Sequence, residues 1–207
     1  MAFKKFITFE GGEGSGKSTQ IKLLAQKIKK IDFICSTREP GGTKSAEEIR
    51  KLLVRGKTDK WSSLSELLLL YAARKDHIDN LILPELNKNK WVLCDRFIDS
   101  TYVYQGMCGK TNLDTIKKIE KIVIGNFKPS ITFLIDIDPA TGIKRSKRPD
   151  NKDVRYENMN IKFHNKVRKS YLKLANENKK RFIKIDGSKK ISEIENQIWG
   201  IIQKKYF

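Results

Sequence analysis

The chain has 207 residues, of which 39% are hydrophobic and 32% charged, and a formal net charge of +19. This length suits one domain with a sizeable core, and no segment has the roughly 18 consecutive apolar residues of a membrane helix. The lysines are spread along the whole chain, a pattern that favours a solvated surface over a nucleic-acid site. We therefore expect a cytoplasmic protein with one domain over residues 1–207 and with neither a membrane nor a nucleic-acid partner.

Five short apolar runs predict buried strands of a parallel sheet, namely Phe6–Glu10, Phe33–Thr37, Trp91–Asp95, Ile131–Asp136 and Phe182–Asp186. Between them, apolar residues recur at helical spacing over residues 21–31, 113–123 and 191–201. Strands that alternate with helices indicate βαβ units, so we expect a doubly wound α/β domain whose sheet is covered on both faces.

Carboxylates stand at the carboxyl ends of four of these strands, at Glu10, Asp95, Asp136 and Asp186. Ligands bind at that edge of an open α/β sheet. The coincidence predicts a binding site there, although Asp136 and Asp186 also fit a purely structural role.

A phosphate-binding loop follows the first strand directly. The run Gly11, Gly12, Glu13, Gly14, Ser15, Gly16, Lys17, Ser18 satisfies G-x-x-x-x-G-K-[ST] and precedes an amphipathic helix. Glycines let backbone N–H groups turn toward a phosphate, and the helix adds its positive dipole end. We expect these residues and the next one, Thr19, to bind ATP, with Lys17 on the β/γ-phosphates and Ser18 in the Mg²⁺ shell.

The loop alone does not distinguish GTPases, ATPase motors and kinases. The base-reading signature N-K-x-D of GTPases is missing, since the run Asn87–Lys90 ends in lysine. A chain this short has no room for a motor apparatus. A smaller molecule must therefore accept the phosphoryl group.

Three further motifs follow in order: T-R-E-P-G-G-T at Thr37–Thr43, Y-A-A-R at Tyr71–Arg74, and D-R-F-I-D-S-T-Y-V-Y-Q-G at Asp95–Gly106. With the P-loop, this set resembles the thymidylate kinase family of the bacterial type with lid arginines. The resemblance implies a three-layer P-loop NTPase fold, similar to nucleoside-monophosphate kinases, with a five-stranded parallel sheet. It also implies phosphorylation of dTMP to dTDP with ATP and Mg²⁺ in dTTP biosynthesis. A homodimer is implied as well, with the apolar helix around Leu64 to Leu83 as a candidate interface.

Two arginines and one aspartate are expected to handle phosphate and metal. Arg38 and Arg96 lie just past strand ends, where arginine forks can bind two phosphate oxygens at once. The resemblance implies that they clamp the acceptor phosphate and that Arg96 also faces the transferring group. Asp95 is placed to hold Mg²⁺ directly or through water, with a buried cap as the alternative.

The resemblance also assigns residues to the sugar and the base of the acceptor. It implies that Glu13 contacts the sugar 3′-hydroxyl and that Tyr104 crowds out a ribose 2′-hydroxyl. Ser100 and Gln105 match positions near the thymine edge, and Arg74 matches the arginine that reaches the base carbonyl.

Leu70 departs from the family pattern, which places phenylalanine four residues before that arginine. Residues i and i+4 share a helix face, so Leu70 still covers the base. It lacks the aromatic stacking that is worth on the order of 1–3 kcal/mol. Val103, which stands in place of alanine, is a smaller departure near the same pocket.

The polar, arginine-bearing run from Arg145 to Glu157 contains Pro149 and predicts a mobile lid at about residues 144–157. Such a lid supplies charge to the transition state and excludes water. Since the P-loop has no arginine, the family subtype implies that lid arginines do this work, with Arg148 and Arg155 as candidates. Arg155 fits the D-R-x-E lid pattern imperfectly because Val154 precedes it. Arg145 is a candidate for contact with adenine.

Two other functions compete with this interpretation. One is a kinase of a different monophosphate, such as dUMP or a purine nucleotide. The other is a nucleic-acid-binding protein that uses ATP as a switch.

Overall fold

Five parallel strands form one sheet at the centre of the computed structural model, which describes residues 2–57, 59–146 and 155–207. They are β1 (Ala2–Glu10), β2 (Ile34–Arg38), β3 (Trp91–Asp95), β4 (Lys128–Asp136) and β5 (Phe182–Asp186). The order across the sheet is β2-β3-β1-β4-β5, with every neighbouring pair parallel. The predicted five-stranded parallel sheet is confirmed. The strands β1 and β4 begin earlier than expected, and β2 is shifted by one residue.

Nine α-helices connect and cover the strands within the described ranges. They are α1 (Lys17–Ile28), α2 (Lys44–Val54), α3 (Ser63–His77), α4 (Leu83–Asn87), α5 (Ile98–Thr101), α6 (Leu113–Val123), α7 (Pro139–Ser146), α8 (Ile161–Glu177) and α9 (Ile191–Tyr206). Two π-helical turns, Ile78–Ile82 and Tyr102–Met107, follow α3 and α5. None of the described helices is long and apolar enough to cross a bilayer.

Helices bury both faces of the sheet. Side chains of α1 and α9, such as Leu24 and Ile198, pack with Phe9 and Phe133 on one face. On the other face, residues after α3 and residues of α8 pack against the strands, because successive strand residues point to opposite sides. The predicted three-layer arrangement is therefore confirmed, and the sheet's carboxyl edge is left for polar side chains.

Some residues that marked the predicted helices lie outside the core. The helix α1 ends at Ile28, so Ile31 falls in the following turn and is 54% exposed. Ile191, the first residue of α9, is 60% exposed, and Ile122 on α6 is 83% exposed. Apolar spacing located the helices, but it did not fix where each buried face ends.

The helix expected around Leu64 to Leu83 is present, but it is not a regular α-helix throughout. The structure divides this segment into α3, the π-helical turn Ile78–Ile82 and the start of α4. Pro84 has no N–H group, so it cannot donate to the carbonyl four residues earlier, and a wider turn accommodates the break.

Ile198→Ala should lower the free energy of unfolding by about 2–5 kcal/mol, since a buried isoleucine is removed from the face that α9 packs on the sheet. Ile191→Ala, in the same helix, is the control and should change stability by no more than about 0.5 kcal/mol. Denaturant unfolding measures both. Equal losses would contradict the assignment of the α9 core face.

Candidate active site

The P-loop, residues 11–16, runs from the end of β1 into the positive end of α1. Gly14 has φ +63°, and a Cβ there would collide with the backbone carbonyl of Gly142 in α7. A Cβ on Gly142 would in turn collide with the backbone carbonyl of Glu13. The loop and α7 therefore touch backbone to backbone, which only glycine allows at these two positions.

Lys17 folds back over this loop. Its Nζ donates to the carbonyl oxygens of Gly11 at 3.2 Å and Gly12 at 2.9 Å. Burial and the nearby Arg96 charge lower the pKa of Lys17 below its ordinary value. Thr19 is exposed on the first turn of α1 and does not line the groove above the P-loop.

A groove opens above the P-loop and is called here the P-loop groove. It is lined by Glu13 to Ser18, Arg38, Glu39, Arg50, Asp95, Arg96, Arg145, Ser146 and Glu157. Within it, Ser18 Oγ donates to Asp95 Oδ2 at 2.7 Å. A hydroxyl and one carboxylate suit Mg²⁺, which binds few protein oxygens and keeps several waters. Within the described ranges, no group of three or more His, Cys, Asp or Glu side chains is placed to hold a metal ion.

Arg38 ends β2 and pairs in register with Asp95. Its Nη2 donates to both carboxylate oxygens of Glu47, at 3.1 and 3.3 Å, and the side chain is about half exposed. The arginine therefore faces the P-loop groove while Glu47 holds it from the side.

A second cavity, called here the inner pocket, adjoins this groove. It is lined by Glu13, Glu39, Pro40, Arg50, Val54, Leu70, Arg74, Arg96, Phe97, Ser100, Thr101, Tyr104, Gln105, Tyr156 and Glu157. Five of these residues, Glu13, Glu39, Arg50, Arg96 and Glu157, line both spaces. The two spaces therefore meet along a charged border.

Arg96 lies at this border in a left-handed conformation, with φ +68°. Its Nη2 donates to Glu13 Oε1 at 2.9 Å, and its Nη1 donates to Ser100 Oγ at 3.3 Å and Tyr171 OH at 3.0 Å. Tyr104 OH donates to the same Glu13 oxygen at 3.0 Å. Burial alone would raise the pKa of Glu13, but Arg96 and Lys17 outweigh burial and hold it below its ordinary value.

Glu10 supports this arrangement from beneath. Its Oε1 accepts from the backbone N–H groups of Phe97 at 2.8 Å and Ser100 at 3.3 Å. Its Oε2 accepts from Ser100 Oγ at 2.7 Å and Tyr171 OH at 2.8 Å. Burial, together with the nearby Asp99 carboxylate, raises the pKa of Glu10 to about 7.

Arg74 is buried beside the inner pocket. Its Nε donates to Glu39 Oε2 at 2.7 Å, and its Nη2 donates to the carbonyl of Phe97 at 3.3 Å. Its Nη1 is buried and has no hydrogen-bond partner within the described parts of the chain. Leu70 lines the pocket one helical turn earlier, whereas Tyr71 points away and packs with Leu67 and Ile116.

The arginines of the predicted lid do not lie together: Arg145 and Arg155 have different surroundings. Arg145 lines the P-loop groove and donates to the carbonyl of Gly187 at 3.3 Å. Arg148 lies outside the described residues, as do residues 147–154 as a whole. Arg155 is buried away from the P-loop groove, in an ion pair with Glu66 and a 3.0 Å hydrogen bond to the carbonyl of Leu53. A catalytic role for Arg155 stays a prediction and requires this ion pair to open.

Sequence reasoning missed several residues of these two spaces. Arg50 on α2 lines both and donates to the carbonyl of Pro40 at 2.8 Å, yet in the sequence it is one arginine of an ordinary amphipathic helix. Phe97 stands inside the third motif and was given no role. Tyr171 carried no signal beyond the apolar spacing of α8.

The parallel sheet, the P-loop and the two adjoining spaces place the chain among nucleoside-monophosphate-kinase-like P-loop NTPases. Comparison with known proteins is more specific. The family model for thymidylate kinase matches residues 9–198, and the chain belongs to the thymidylate kinase family.

Known thymidylate kinases are similar to this chain along nearly its whole length. A thymidylate kinase of Bradyrhizobium sp. (strain ORS 278) is 40% identical over 206 residues, which cover 98% of this chain and 91% of the relative. One from Magnetococcus marinus is 41% identical over 205 residues, covering 98% and 97%. The crystal structure of thymidylate kinase from Ehrlichia chaffeensis superposes with a TM-score of 0.78 at 35% identity and covers 97% of this chain and 98% of its own.

The raised pKa of Glu10 predicts a pH-dependent stability. Between the ordinary carboxyl value of 4.5 and about 7, the folded state binds the Glu10 proton more tightly than the unfolded state does. The Glu10 contribution to stability must therefore fall as the pH rises through this window.

We expect the free energy of unfolding of the wild type, relative to Glu10→Gln, to fall by on the order of 3 kcal/mol between pH about 4.5 and about 7.5. Denaturant titrations of both proteins across this range measure it. A difference that stays constant with pH would contradict the assignment.

Proposed function

We propose that this protein transfers the γ-phosphoryl group of ATP to dTMP, giving ADP and dTDP, with Mg²⁺, as a step toward dTTP. The observation that carries the proposal is the shared border of the P-loop groove and the inner pocket, with Arg96 lining both. A donor phosphate on the P-loop and an acceptor phosphate in the inner pocket would meet at this arginine.

The donor side is supported by the residues of the P-loop groove. Backbone N–H groups of the loop and the start of α1 would surround the β-phosphate. Lys17, held here by loop carbonyls at 2.9 and 3.2 Å, would exchange these weak partners for phosphate oxygens. Ser18 and Asp95 would hold Mg²⁺, which supplies positive charge to the β- and γ-phosphate oxygens when bound. Arg145 remains the candidate for contact with adenine.

The acceptor side is supported by charge and shape in the inner pocket. Arg96 and Arg50 in this pocket, and Arg38 from the adjoining P-loop groove, offer guanidinium groups for a phosphate with about two negative charges. The pair Glu13–Tyr104, joined at 3.0 Å, would face the sugar, with Glu13 accepting from the 3′-hydroxyl and Tyr104 filling the space of a 2′-hydroxyl. The unpartnered Nη1 of Arg74 would donate to a base carbonyl. A donor that is buried without a partner favours a ligand that supplies an acceptor.

The reaction needs little covalent help from the protein. An oxygen of the dTMP phosphate forms the new bond to the γ-phosphorus as the bond from that phosphorus to the β-bridging oxygen breaks, and ADP leaves. Lys17 and Arg96 would stabilise the charge of the transferring group, and the ion pair with Glu13 orients Arg96 in advance. Arg148 and Arg155 remain the candidates for lid arginines.

The proposal also includes one kinase domain over residues 1–207, with a lid at about 144–157, and a cytoplasmic homodimer. Exposed leucines on α3, Leu64 and Leu68, support an interface on this helix, since each is 51% exposed.

Coupled ADP-release assays with a panel of monophosphates test the function. Turnover that depends on dTMP and is weak with AMP, GMP and dCMP is expected. Turnover with a purine monophosphate alone would favour another monophosphate kinase, and turnover stimulated only by DNA or RNA would favour an ATP-driven switch.

Arg96→Ala should reduce turnover by roughly a thousandfold or more, the scale of losing an arginine at a transferring phosphoryl group. ATP affinity, measured separately by calorimetry, should change little because the P-loop contacts remain. Near-normal turnover in a folded variant would remove Arg96 from the mechanism.

Leu70→Phe should tighten dTMP binding by about 5- to 100-fold, as expected for added base–aromatic stacking. Ile122→Phe on α6 is the control, since Ile122 is 83% exposed and lies outside the inner pocket. Calorimetric titration with dTMP measures both affinities. Unchanged affinity in the Leu70 variant would show that the base does not lie over residue 70.

A further inference from the structure

Glu66 is a buried carboxylate that the reaction described above does not use. It lies on α3 at 9% exposure, one helical turn before Leu70 and two before Arg74, which both line the inner pocket. One of its oxygens, Oε1, accepts from Gln105 Nε2 at 2.8 Å and from Tyr156 OH at 2.9 Å. The other oxygen, Oε2, pairs with Arg155.

These contacts determine which end of the Gln105 amide faces Glu66. A carboxylate accepts hydrogen bonds at both oxygens, and Gln105 meets Glu66 Oε1 through Nε2, so the amide presents its NH₂ group to it. The second amide hydrogen is also engaged, because Gln105 Nε2 donates to Tyr156 OH at 3.1 Å. The amide oxygen is therefore the end that is directed to a ligand in the inner pocket, which Gln105 lines.

The inner pocket is then lined by one residue with an unpartnered donor and one residue with an available acceptor. Arg74 Nη1 is the donor, buried and unpartnered within the described ranges, and Gln105 Oε1 is the acceptor. The imide edge of thymine or uracil matches them, with a carbonyl oxygen for the arginine and an N3–H for the amide oxygen. Cytosine presents an amino group and an unprotonated N3 at these places, so both protein groups would face a like group.

We propose that Glu66 is a specificity-determining positioning residue. Through Oε1, the oxygen that does not pair with Arg155, it locks the Gln105 amide with its oxygen toward the ligand, so the pocket selects pyrimidine monophosphates with an imide edge and rejects cytosine. This inference rests on the proposed function and adds what enforces its base selectivity. Without the Glu66 carboxylate, the amide is free to turn by 180° and offer its NH₂ group to cytosine N3.

Glu66→Gln tests the idea through ratios of kcat/KM. A glutamine at position 66 can both donate and accept, so it no longer fixes the orientation of the Gln105 amide. The dTMP-to-dCMP preference should therefore fall about tenfold or more. The dTMP-to-dUMP preference should hold, since both bases carry the same imide edge. A purely structural role for Glu66 would lower all three activities together and leave both ratios unchanged, and that result would overturn the proposal.

Two further variants separate positioning from packing. Tyr156→Phe removes one partner of Gln105 but keeps the Glu66 carboxylate, so the dTMP-to-dCMP preference should persist. In a Gln105→Met background, where no amide remains to orient, Glu66→Gln should no longer change that preference. A shift of the same size in this background would show that Glu66 does not act through Gln105.

Glu66→Gln leaves Arg155 buried without its counter-charge, which threatens folding. The double variant Glu66→Gln with Arg155→Met removes both charges, and the ratio of dTMP to dCMP dissociation constants, measured by calorimetry, reports on it without requiring turnover. The same fall of about tenfold is expected. Wild-type turnover with dTMP tests the proposed function separately, so an active wild type with an unmoved ratio in the double variant overturns this inference alone.

Discussion

The buried carboxylate of Glu10, at the end of the central strand, is the constraint on which the site depends. A carboxylate in this position must be fully hydrogen-bonded, since an unpaired buried charge is very costly. Glu10 accepts from Phe97 N–H, from Ser100 through both its N–H and its hydroxyl, and from Tyr171 OH. Ser100 and Tyr171 are also the groups that hold one side of the Arg96 guanidinium. Satisfying one buried acid thus fixes the arginine at the border of the two spaces.

Around the site, other buried acids also hold arginines in place, in a chain whose overall charge is strongly positive. The pairs Glu13–Arg96, Glu39–Arg74, Glu66–Arg155 and Asp99–Arg181 are all largely buried. Removing one partner of such a pair leaves an uncompensated charge, so each pair specifies geometry more than it adds stability. Two of the four, Glu13–Arg96 and Glu39–Arg74, line the inner pocket, where rigid donors and acceptors are most useful to a ligand.

The fold was predictable from sequence because its signals are local. Apolar runs located all five strands, and the P-loop pattern located the turn at the end of β1. The residues of the third motif, Asp95–Gly106, lie near one another because they lie at and directly after the end of β3. Contacts between distant segments left no such signal: Tyr171 is 161 residues from Glu10, and Glu66 is 39 residues from Gln105. The ion pair of Arg155 with Glu66 on α3 likewise left no signal in the sequence, where the polar surroundings of Arg155 predict a lid position. The π-helical turn before Pro84 was missed because apolar spacing does not register a single widened turn.

The contact between Gly14 and Gly142 ties the phosphate-binding loop to the root of the segment that leads toward residues 147–154. With no side chain between the two backbones, neither can move toward the other without pushing it. A nucleotide that moves the loop toward α7 would therefore push directly on the backbone of that helix. Both positions are also restricted to glycine. A methyl group gained at either one collides with the backbone opposite, and no change at the other position makes room for it.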